Sequence, residues 1–136
     1  VFITFLFVFA FVLPAFAKRH KKSSKKTNPA YQVLATGTQS GNMLARATAL
    51  NALSGFKTPE VVKYAVDALH DPQWPVRKAA IMTLYRIGKK AEAIKALNES
   101  IADPTLPWKQ DFSDIMMAFS TKDALRFVTS MLNNPK

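Results

Sequence analysis

The chain has 136 residues, which is room for one domain of ordinary size. It contains no cysteine, which excludes disulfides, thiolate catalysis and zinc sites built from cysteine. The formal net charge is +10, but six of the 19 basic residues fall between Lys18 and Lys26, where no acidic residue occurs. From Thr27 onward 13 basic residues stand against nine acidic ones, so the rest of the chain is only mildly basic.

The first segment, residues 1–17, is uncharged and contains six phenylalanines, with Pro14 just before Ala15-Phe16-Ala17. This pattern is typical of a secretory signal peptide, and we expect cleavage after Ala17. The alternative is a retained membrane anchor, because the segment is near the minimum length for a span and the bases that follow favour retention. The predicted location is periplasmic or extracytoplasmic, with the inner membrane as the alternative.

The second segment, residues 18–27, is basic and too polar to bury a core, so we expect a flexible linker. Its positive charge would attract anionic lipid headgroups. Membrane contact through residues 1–26 is therefore one interpretation, and a solvated linker is the other.

From Asn28 onward the apolar residues recur at helical spacing, and no segment alternates as a strand does. Asn28 and Thr58 each precede a proline, which is typical of a capped helix start. Gly37, Gly55 and Gly88 stand where helices should end. The predicted helices are 29–36, 42–55, 58–70, 75–87, 89–102, 107–119 and 121–133.

An internal repeat organises these helices. The stretch "DPQWPVRK" from Asp71 returns 32 residues later as "DPTLPWKQ" from Asp103. The last six helices then pair into hairpins at about 41–70, 71–102 and 103–134, and such hairpins must stack to bury their apolar faces. The predicted core positions are Ala49, Leu53 and Phe56, then Ala80, Leu84 and Ile87, then Phe112, Met116 and Phe119 in the first helices, and Val62, Leu69, Ile94, Ile101, Leu125 and Leu132 in the second helices.

The second hairpin carries a specific pattern of residues. It consists of Asp71-Pro72, Val76-Arg77, Ala80, Leu84 and Ile87-Gly88. This pattern resembles the HEAT-like (PBS-lyase-type) helical repeats of bacterial proteins, over about residues 40–136. The first copy departs from it at Ser40-Gly41, and the third has Phe112 where alanine is usual. The resemblance implies an all-α fold, an α-solenoid of about three stacked antiparallel helix pairs in a right-handed superhelical array.

The resemblance also implies a ladder of ion pairs that links consecutive repeats. An aspartate at the start of one repeat would face a base one turn into a first helix. The ladder residues are Asp71, Arg77, Asp103, Lys109 and Arg46. Exposed pairs of this kind contribute only about 0–1 kcal/mol each, so we expect the ladder to set the register of the repeats.

Charged residues align on the second helices at positions i, i+3 and i+7, which puts them along one face of each helix. The candidate partner-binding residues are Glu60, Lys63, Asp67, Glu92, Lys95, Glu99, Asp123 and Arg126. By analogy with HEAT-like arrays this face should line the concave surface, and its mixed charge suits a protein partner. A solvated face with intrahelical pairs is the alternative.

No motif of catalysis or of metal or phosphate binding is present. His70 is expected to lie at a helix end, and Asp111 and Asp114 on a solvated helix face. Trp74 occupies a position that is apolar in both repeats, so we expect it to pack. The sequence thus predicts no catalytic residue, no metal, no cofactor and no small-molecule substrate.

The leading hypothesis is a non-enzymatic protein-interaction or scaffold module, exported or membrane-tethered, that binds a protein through its second helices. Residues 108–132 also look like the C-terminal helical region of M1-type zinc aminopeptidases, so an accessory domain of a larger enzyme is an alternative. Nucleic-acid binding is a weaker alternative, because the charged face has five acids against three bases. Asn134-Pro135 aligns with Asp103-Pro104, so we expect the chain to be truncated within a longer array.

Overall fold

The computed structural model describes residues 28–133, apart from the side chain of residue 108. These residues form seven α-helices and no strand, which confirms the predicted all-α fold. Every helix boundary lies within two residues of its predicted position. The helices are α1 (Pro29–Gly37), α2 (Met43–Leu53), α3 (Pro59–Ala68), α4 (Trp74–Arg86), α5 (Lys90–Ala102), α6 (Trp108–Ala118) and α7 (Thr121–Asn133). The predictions for residues 1–17, 18–27 and Asn134-Pro135 lie outside the described residues.

Side chains at the helix starts accept hydrogen bonds from amide groups that no helical carbonyl reaches. At α1, Asn28 Oδ1 accepts from the N–H of Ala30 at 3.0 Å. At α3, Thr58 Oγ1 accepts from the N–H of Val61 at 3.3 Å. Asn42 caps α2 in the same way. The predicted starts at Asn28 and Thr58 are confirmed.

The repeated Asp-Pro pair forms the same turn twice. Asp71 Oδ1 accepts from the N–H of Gln73 at 2.9 Å, and Asp103 Oδ1 accepts from the N–H of Thr105 at 2.9 Å. A carboxylate that binds the amide two residues on closes an Asx turn. The two turns lead directly into α4 and α6. The repeated sequence therefore makes the same change of chain direction in both copies.

Helix α4 lies at the centre of the array. It packs against α2 of the preceding hairpin, against the second helices α3 and α5, and against α6. Nine of its 13 residues are buried, and Ile81, Thr83 and Leu84 expose no surface. The hairpins α2–α3, α4–α5 and α6–α7 therefore stack as an α-solenoid, and α1 packs beside α2 as an additional helix.

The end of α4 requires a glycine. Gly88 has a φ of +93°, in the left-handed region that side chains disfavour. This conformation turns the chain so that the N–H of Lys89 reaches the carbonyl of Leu84 at 2.8 Å. Such a bond closes the helix end and lets α5 start immediately.

The first helices bury the predicted stripe. Ala49 and Leu53 of α2, and Ala80 and Leu84 of α4, are buried, as is Phe119 after α6. The other predicted positions are half-buried, namely Phe56, Ile87, Phe112 and Met116. Ile115 of α6 is fully buried and was not among the predicted residues.

The second helices bury a neighbouring stripe, which corrects the prediction. Val61 packs with α1 and α2 and is fully buried, whereas the predicted Val62 packs on the next hairpin and is half-buried. The predicted core residues Leu125 and Leu132 of α7 are 63% and 75% exposed. The equivalent predicted positions of the earlier second helices are half-buried and pack on the main core cluster, namely Val62, Leu69, Ile94 and Ile101.

Candidate interaction surface on the second helices

The predicted charged stripe lies on exposed helix faces. Its α3 residues Glu60, Lys63 and Asp67 are exposed, and so are its α5 residues. On α5, Lys95 and Glu99 lie 3.8 Å apart as an i, i+4 pair. Both side chains are mostly solvated, so the pair contributes little to stability and remains available to a partner. The stripe residues on α5 are Glu92, Lys95 and Glu99, and Arg126 is exposed on α7.

An open groove of about 350 Å³ lies beside this stripe, between the first and second hairpins. Val62 and Ile87 contribute apolar lining, and the exposed Lys57 and Lys89 stand at its margin. Lys57 has a φ of +47°, a conformation that costs a residue with a side chain about 1 kcal/mol or more. We call this feature the inter-repeat groove. One feature of the sequence indicates this groove: Lys57 and Lys89 are 32 residues apart, which is the length of one repeat.

Asp123 differs from the other stripe acids, and its expected place on the exposed face is corrected. Its side chain is only 13% exposed. Its Oδ2 accepts hydrogen bonds from Lys90 Nζ, Tyr85 Oη and Ser120 Oγ, each at 2.7 Å. Lys90, Tyr85 and Ser120 hold the pKa of Asp123 far below its ordinary value.

This network joins the second hairpin to the third. Tyr85 of α4 donates to Asp123 and accepts from the N–H of Ser120 at 2.6 Å, and its ring stacks on Phe119 at 4.1 Å between centroids. Ser120 Oγ in turn accepts from the N–H of Asp123 at 3.3 Å, so the pair caps α7. The Ser-x-x-Asp pattern of a capping box was the signal in the sequence that identifies Asp123 as a structural residue.

The first rung of the ladder is formed. Arg46 Nε lies 2.8 Å from Asp71 Oδ2, and Arg46 Nη2 lies 3.0 Å from Asp71 Oδ1. The pair bridges α2 to the turn before α4, and the guanidinium also donates to the carbonyl of Ser40 at 2.9 Å. Burial disfavours the ionised Asp71, but the hydrogen bonds from Arg46 and Gln73 outweigh it and lower the pKa. Arg46 and Asp71, two of the predicted ladder residues, thus form an ion pair between consecutive repeats.

At the junction between the second and third repeats, the predicted ladder residues Arg77 and Asp103 make different contacts. Arg77 donates to the backbone carbonyl of Asp71 within its own repeat, and its guanidinium lies 6.0 Å from the centre of the Trp74 ring. Asp103 is held by Thr105, whose Oγ1 donates to it at 2.6 Å. The hydrogen bonds from Thr105, and more weakly the charge of Arg77, lower the pKa of Asp103. Lys109, the predicted third rung, is exposed on α6.

A further set of ion pairs connects α4 to α6. Lys78 Nζ lies 2.5 Å from Asp111 and 3.2 Å from Asp114, and Trp74 Nε1 donates to Asp111 at 2.6 Å. Burial opposes ionisation of Asp111, but Lys78 and Trp74 outweigh it and lower the pKa. The expectation that Asp111 lies on a solvated face is therefore wrong, while the expected packing of Trp74 is confirmed.

Residues 31–111 match the family model for HEAT repeats, and this match covers more than half of the 136-residue chain. The chain belongs to the HEAT repeat family. The comparisons with curated proteins and with solved structures gave no match. The resemblance that the Asp71-Pro72 unit carries is confirmed, and HEAT repeats are commonly protein-interaction scaffolds.

HEAT repeats are typically non-enzymatic. Across residues 28–133, no three side chains of His, Asp or Glu come close enough together to hold a metal ion. His70 lies exposed in the turn after α3. Over the same range, no helix combines the length and the apolar character that a membrane crossing requires.

Proposed function

We propose that this HEAT repeat protein is an exported or membrane-tethered scaffold that binds a protein partner on its second-helix surface. That surface comprises the charged stripe of α3 and α5 together with the inter-repeat groove. The observation that carries the proposal is the position of the groove: its apolar lining lies beside a face whose charged side chains are exposed to solvent. Protein interfaces of this kind combine an apolar anchor in a pocket with a polar rim.

The chemistry of the surface indicates what it would recognise. Val62 and Ile87 offer contact to an apolar side chain, and Lys57 and Lys89 place positive charge at the margin. A partner segment with an aliphatic or aromatic residue flanked by carboxylates would match both features. The alternating signs of Glu60 and Lys63 on the adjacent face would then fix its orientation, because complementary charges set register more than affinity.

Export or tethering is the second part of the proposal. It is supported by the sequence of residues 1–17, which is uncharged and ends on Ala15-Phe16-Ala17, and by the six bases that follow. Edman sequencing of the full chain recovered from the periplasm and the membrane tests it. A mature N-terminus at Lys18 supports export, an intact N-terminus in the membrane supports tethering, and a purely cytoplasmic intact chain contradicts both.

The binding surface is tested by reversing charge on the stripe. Lys63→Glu combined with Lys95→Glu changes two exposed residues on neighbouring second helices, so the fold should be retained. With the full chain as bait in an extract of its own cells, proteins retained by the unmodified chain are quantified by mass spectrometry. We expect the partner to be depleted tenfold or more with the double variant.

A matched variant controls for the change in net charge. Arg86→Glu with Lys122→Glu also reverses two exposed bases, at positions outside the stripe and the groove. This variant should retain the partner, and circular dichroism should show both variants to be helical. Equal retention by both double variants would contradict the proposed surface.

A further inference from the structure

The turns at the two edges of the array carry opposite charge. One edge holds the turns within the hairpins, which join α2 to α3, α4 to α5 and α6 to α7. These turns, with the helical turn on either side of each, cover residues 50–62, 83–93 and 115–124. They contain five bases and three acids, namely Lys57, Arg86, Lys89, Lys90 and Lys122 against Glu60, Glu92 and Asp123. We call this side of the array the basic edge.

The opposite edge holds the turns that lead into α2, α4 and α6. With the flanking helical turns it covers residues 34–46, 65–77 and 99–111. It has the reverse balance of three bases and five acids, namely Arg46, Arg77 and Lys109 against Asp67, Asp71, Glu99, Asp103 and Asp111. We call this side the acidic edge. A charged flat surface would therefore attract one edge of the array and repel the other.

The charge of the basic edge is accessible to a surface. Lys57, Arg86 and Lys122 are exposed, so each of the three turns presents one base to solvent. Arg86 donates a hydrogen bond to Asn51 Oδ1 at 3.1 Å, and this neutral amide leaves the positive charge of Arg86 uncompensated. Asp123, one of the three acids, is shielded within its hydrogen-bond network, and its side chain is only 13% exposed. The exposed surface of this edge is therefore positive.

The chain enters the fold at the basic edge. Helix α1 packs against α2, and the ring of Tyr31 in its first turn lies 5.2 Å from the ring of Phe56, which follows the end of α2. Tyr31 also packs with Leu53 and Val61 on the two sides of this turn. Asn28, which caps α1, is thus where the basic segment of residues 18–27 joins the fold. Its six bases are attached on the side of the array that already carries the positive turns.

We propose that the basic edge lies on an anionic lipid surface when residues 1–26 hold the chain at a membrane. This inference rests on the tethering part of the proposed function and adds an orientation to it. Bases near anionic headgroups are attracted to them, and the attraction falls off within a Debye length of about 8–10 Å. Only one edge of the array can lie within that distance. The helices then stand upright on the lipid, with the acidic edge away from it and the faces of α3 and α5 open to a partner from the side.

A fluorophore at either edge measures this orientation. The chain has no cysteine, so a single introduced cysteine takes the label. Ala91→Cys marks the basic edge and Ala102→Cys the acidic edge, and both alanines are exposed. They lie at opposite ends of α5, about 16 Å apart at 1.5 Å per residue. The full 136-residue chain is reconstituted into vesicles of phosphatidylcholine and phosphatidylglycerol that carry a quencher on lipid headgroups. We expect at least threefold stronger quenching for the Ala91→Cys chain.

Changes of charge test whether the basic edge causes this orientation. In vesicles of phosphatidylcholine alone, or at high salt, the two labels should be quenched equally, because the attraction is electrostatic. Arg86→Glu with Lys122→Glu should remove most of the difference in anionic vesicles. Lys63→Glu with Lys95→Glu makes the same change of net charge on the second-helix surface and should retain the difference. In the retention experiment with a protein partner the two double variants are expected to behave the opposite way, so the failure of either proposal is distinguishable.

Three results would overturn the proposal. The first is equal quenching of the two labels in anionic vesicles, or stronger quenching of the Ala102→Cys chain. The second is a full chain that does not sediment with anionic vesicles. The third is equal quenching combined with binding of a short DNA duplex that Arg86→Glu with Lys122→Glu abolishes, which would assign the basic edge to nucleic acid.

Discussion

Arg46 and Asp71 are 25 residues apart in the chain and form a two-pronged ion pair across the first repeat junction, with N–O distances of 2.8 and 3.0 Å. Both side chains are largely buried, and each makes a further hydrogen bond, to Ser40 and Gln73 respectively. Planar pairing of this kind specifies orientation as well as proximity. The junction between the first two repeats is thus fixed by an interaction that a lysine would not reproduce.

The first prediction concerns the coupling energy of this pair. In a double-mutant cycle with Arg46→Gln and Asp71→Asn, we expect a clearly favourable coupling energy from urea unfolding, because both partners are shielded from solvent. The cycle with Lys95→Gln and Glu99→Gln serves as the control and should give a coupling near zero, because that pair is 3.8 Å apart and exposed. Equal coupling in the two cycles would contradict a specific role for the Arg46–Asp71 pair.

The second prediction concerns the core. Leu84 of α4 has no exposed surface, so Leu84→Ala removes buried apolar contacts and leaves a cavity. We expect the free energy of unfolding to fall by about 2–5 kcal/mol. Val66→Ala on the exposed side of α3 is the matched control and should change it by less than about 1 kcal/mol. Similar losses for the two variants would argue against α4 as the centre of the core.

The third prediction concerns a buried hydrogen bond between consecutive first helices. Thr83 Oγ1 donates to the carbonyl of Leu50 at 2.9 Å, and Thr83 is fully buried. Thr83→Val keeps the shape but removes the donor, and we expect a loss of about 0.5–1.5 kcal/mol in thermal or urea unfolding. That carbonyl still accepts from the N–H of Ser54, which limits the loss. A more stable Thr83→Val variant would show that the hydroxyl is not needed at this junction.

The fourth prediction concerns the attachment of the third hairpin. Tyr85→Phe removes the hydroxyl that binds both Asp123 and Ser120. In a solenoid each repeat contacts only its neighbours, so the effect should stay local. We expect hydrogen exchange to become faster in α7, while protection in α1 and α2 is unchanged. Uniform loss of protection along residues 28–133 would indicate global destabilisation instead.

The fifth prediction concerns pH. The pKa values of Asp71 and Asp111 are lowered in the folded protein, whereas unfolded aspartate titrates near 3.9. Between the folded and the unfolded pKa the unfolded chain binds more protons, so acid favours unfolding. We expect stability in urea to be nearly constant above about pH 5 and to fall as the pH is lowered below about 4. Asp111→Asn should make the fall shallower, and a flat profile from pH 5 to pH 3 would contradict the ion pairs.

Local sequence patterns were sufficient to predict the helices and the repeat. Asn28 and Thr58 mark helix starts because their side chains cap amides a few residues away, and Gly88 marks a helix end because its backbone reaches the left-handed region. The Asp71 and Asp103 turns are visible for the same reason, since each carboxylate binds an amide two residues on. These features could be predicted because each of them depends on interactions between residues that are close together in the sequence.

The contacts between repeats depended on the rotation of one hairpin against the next, which no local pattern encodes. Lys78 reaches Asp111 and Asp114 across more than 30 residues, and Asp123 turns from the aligned stripe into a pocket formed by Tyr85 and Lys90. The apolar periodicity predicted one buried face on each second helix. The packing of the hairpins, however, buries Val61 fully and Val62 only in part. Residue order thus defined the seven helices of residues 28–133 and their repeat, while the packing of one hairpin on the next determined which charges pair and which faces are exposed.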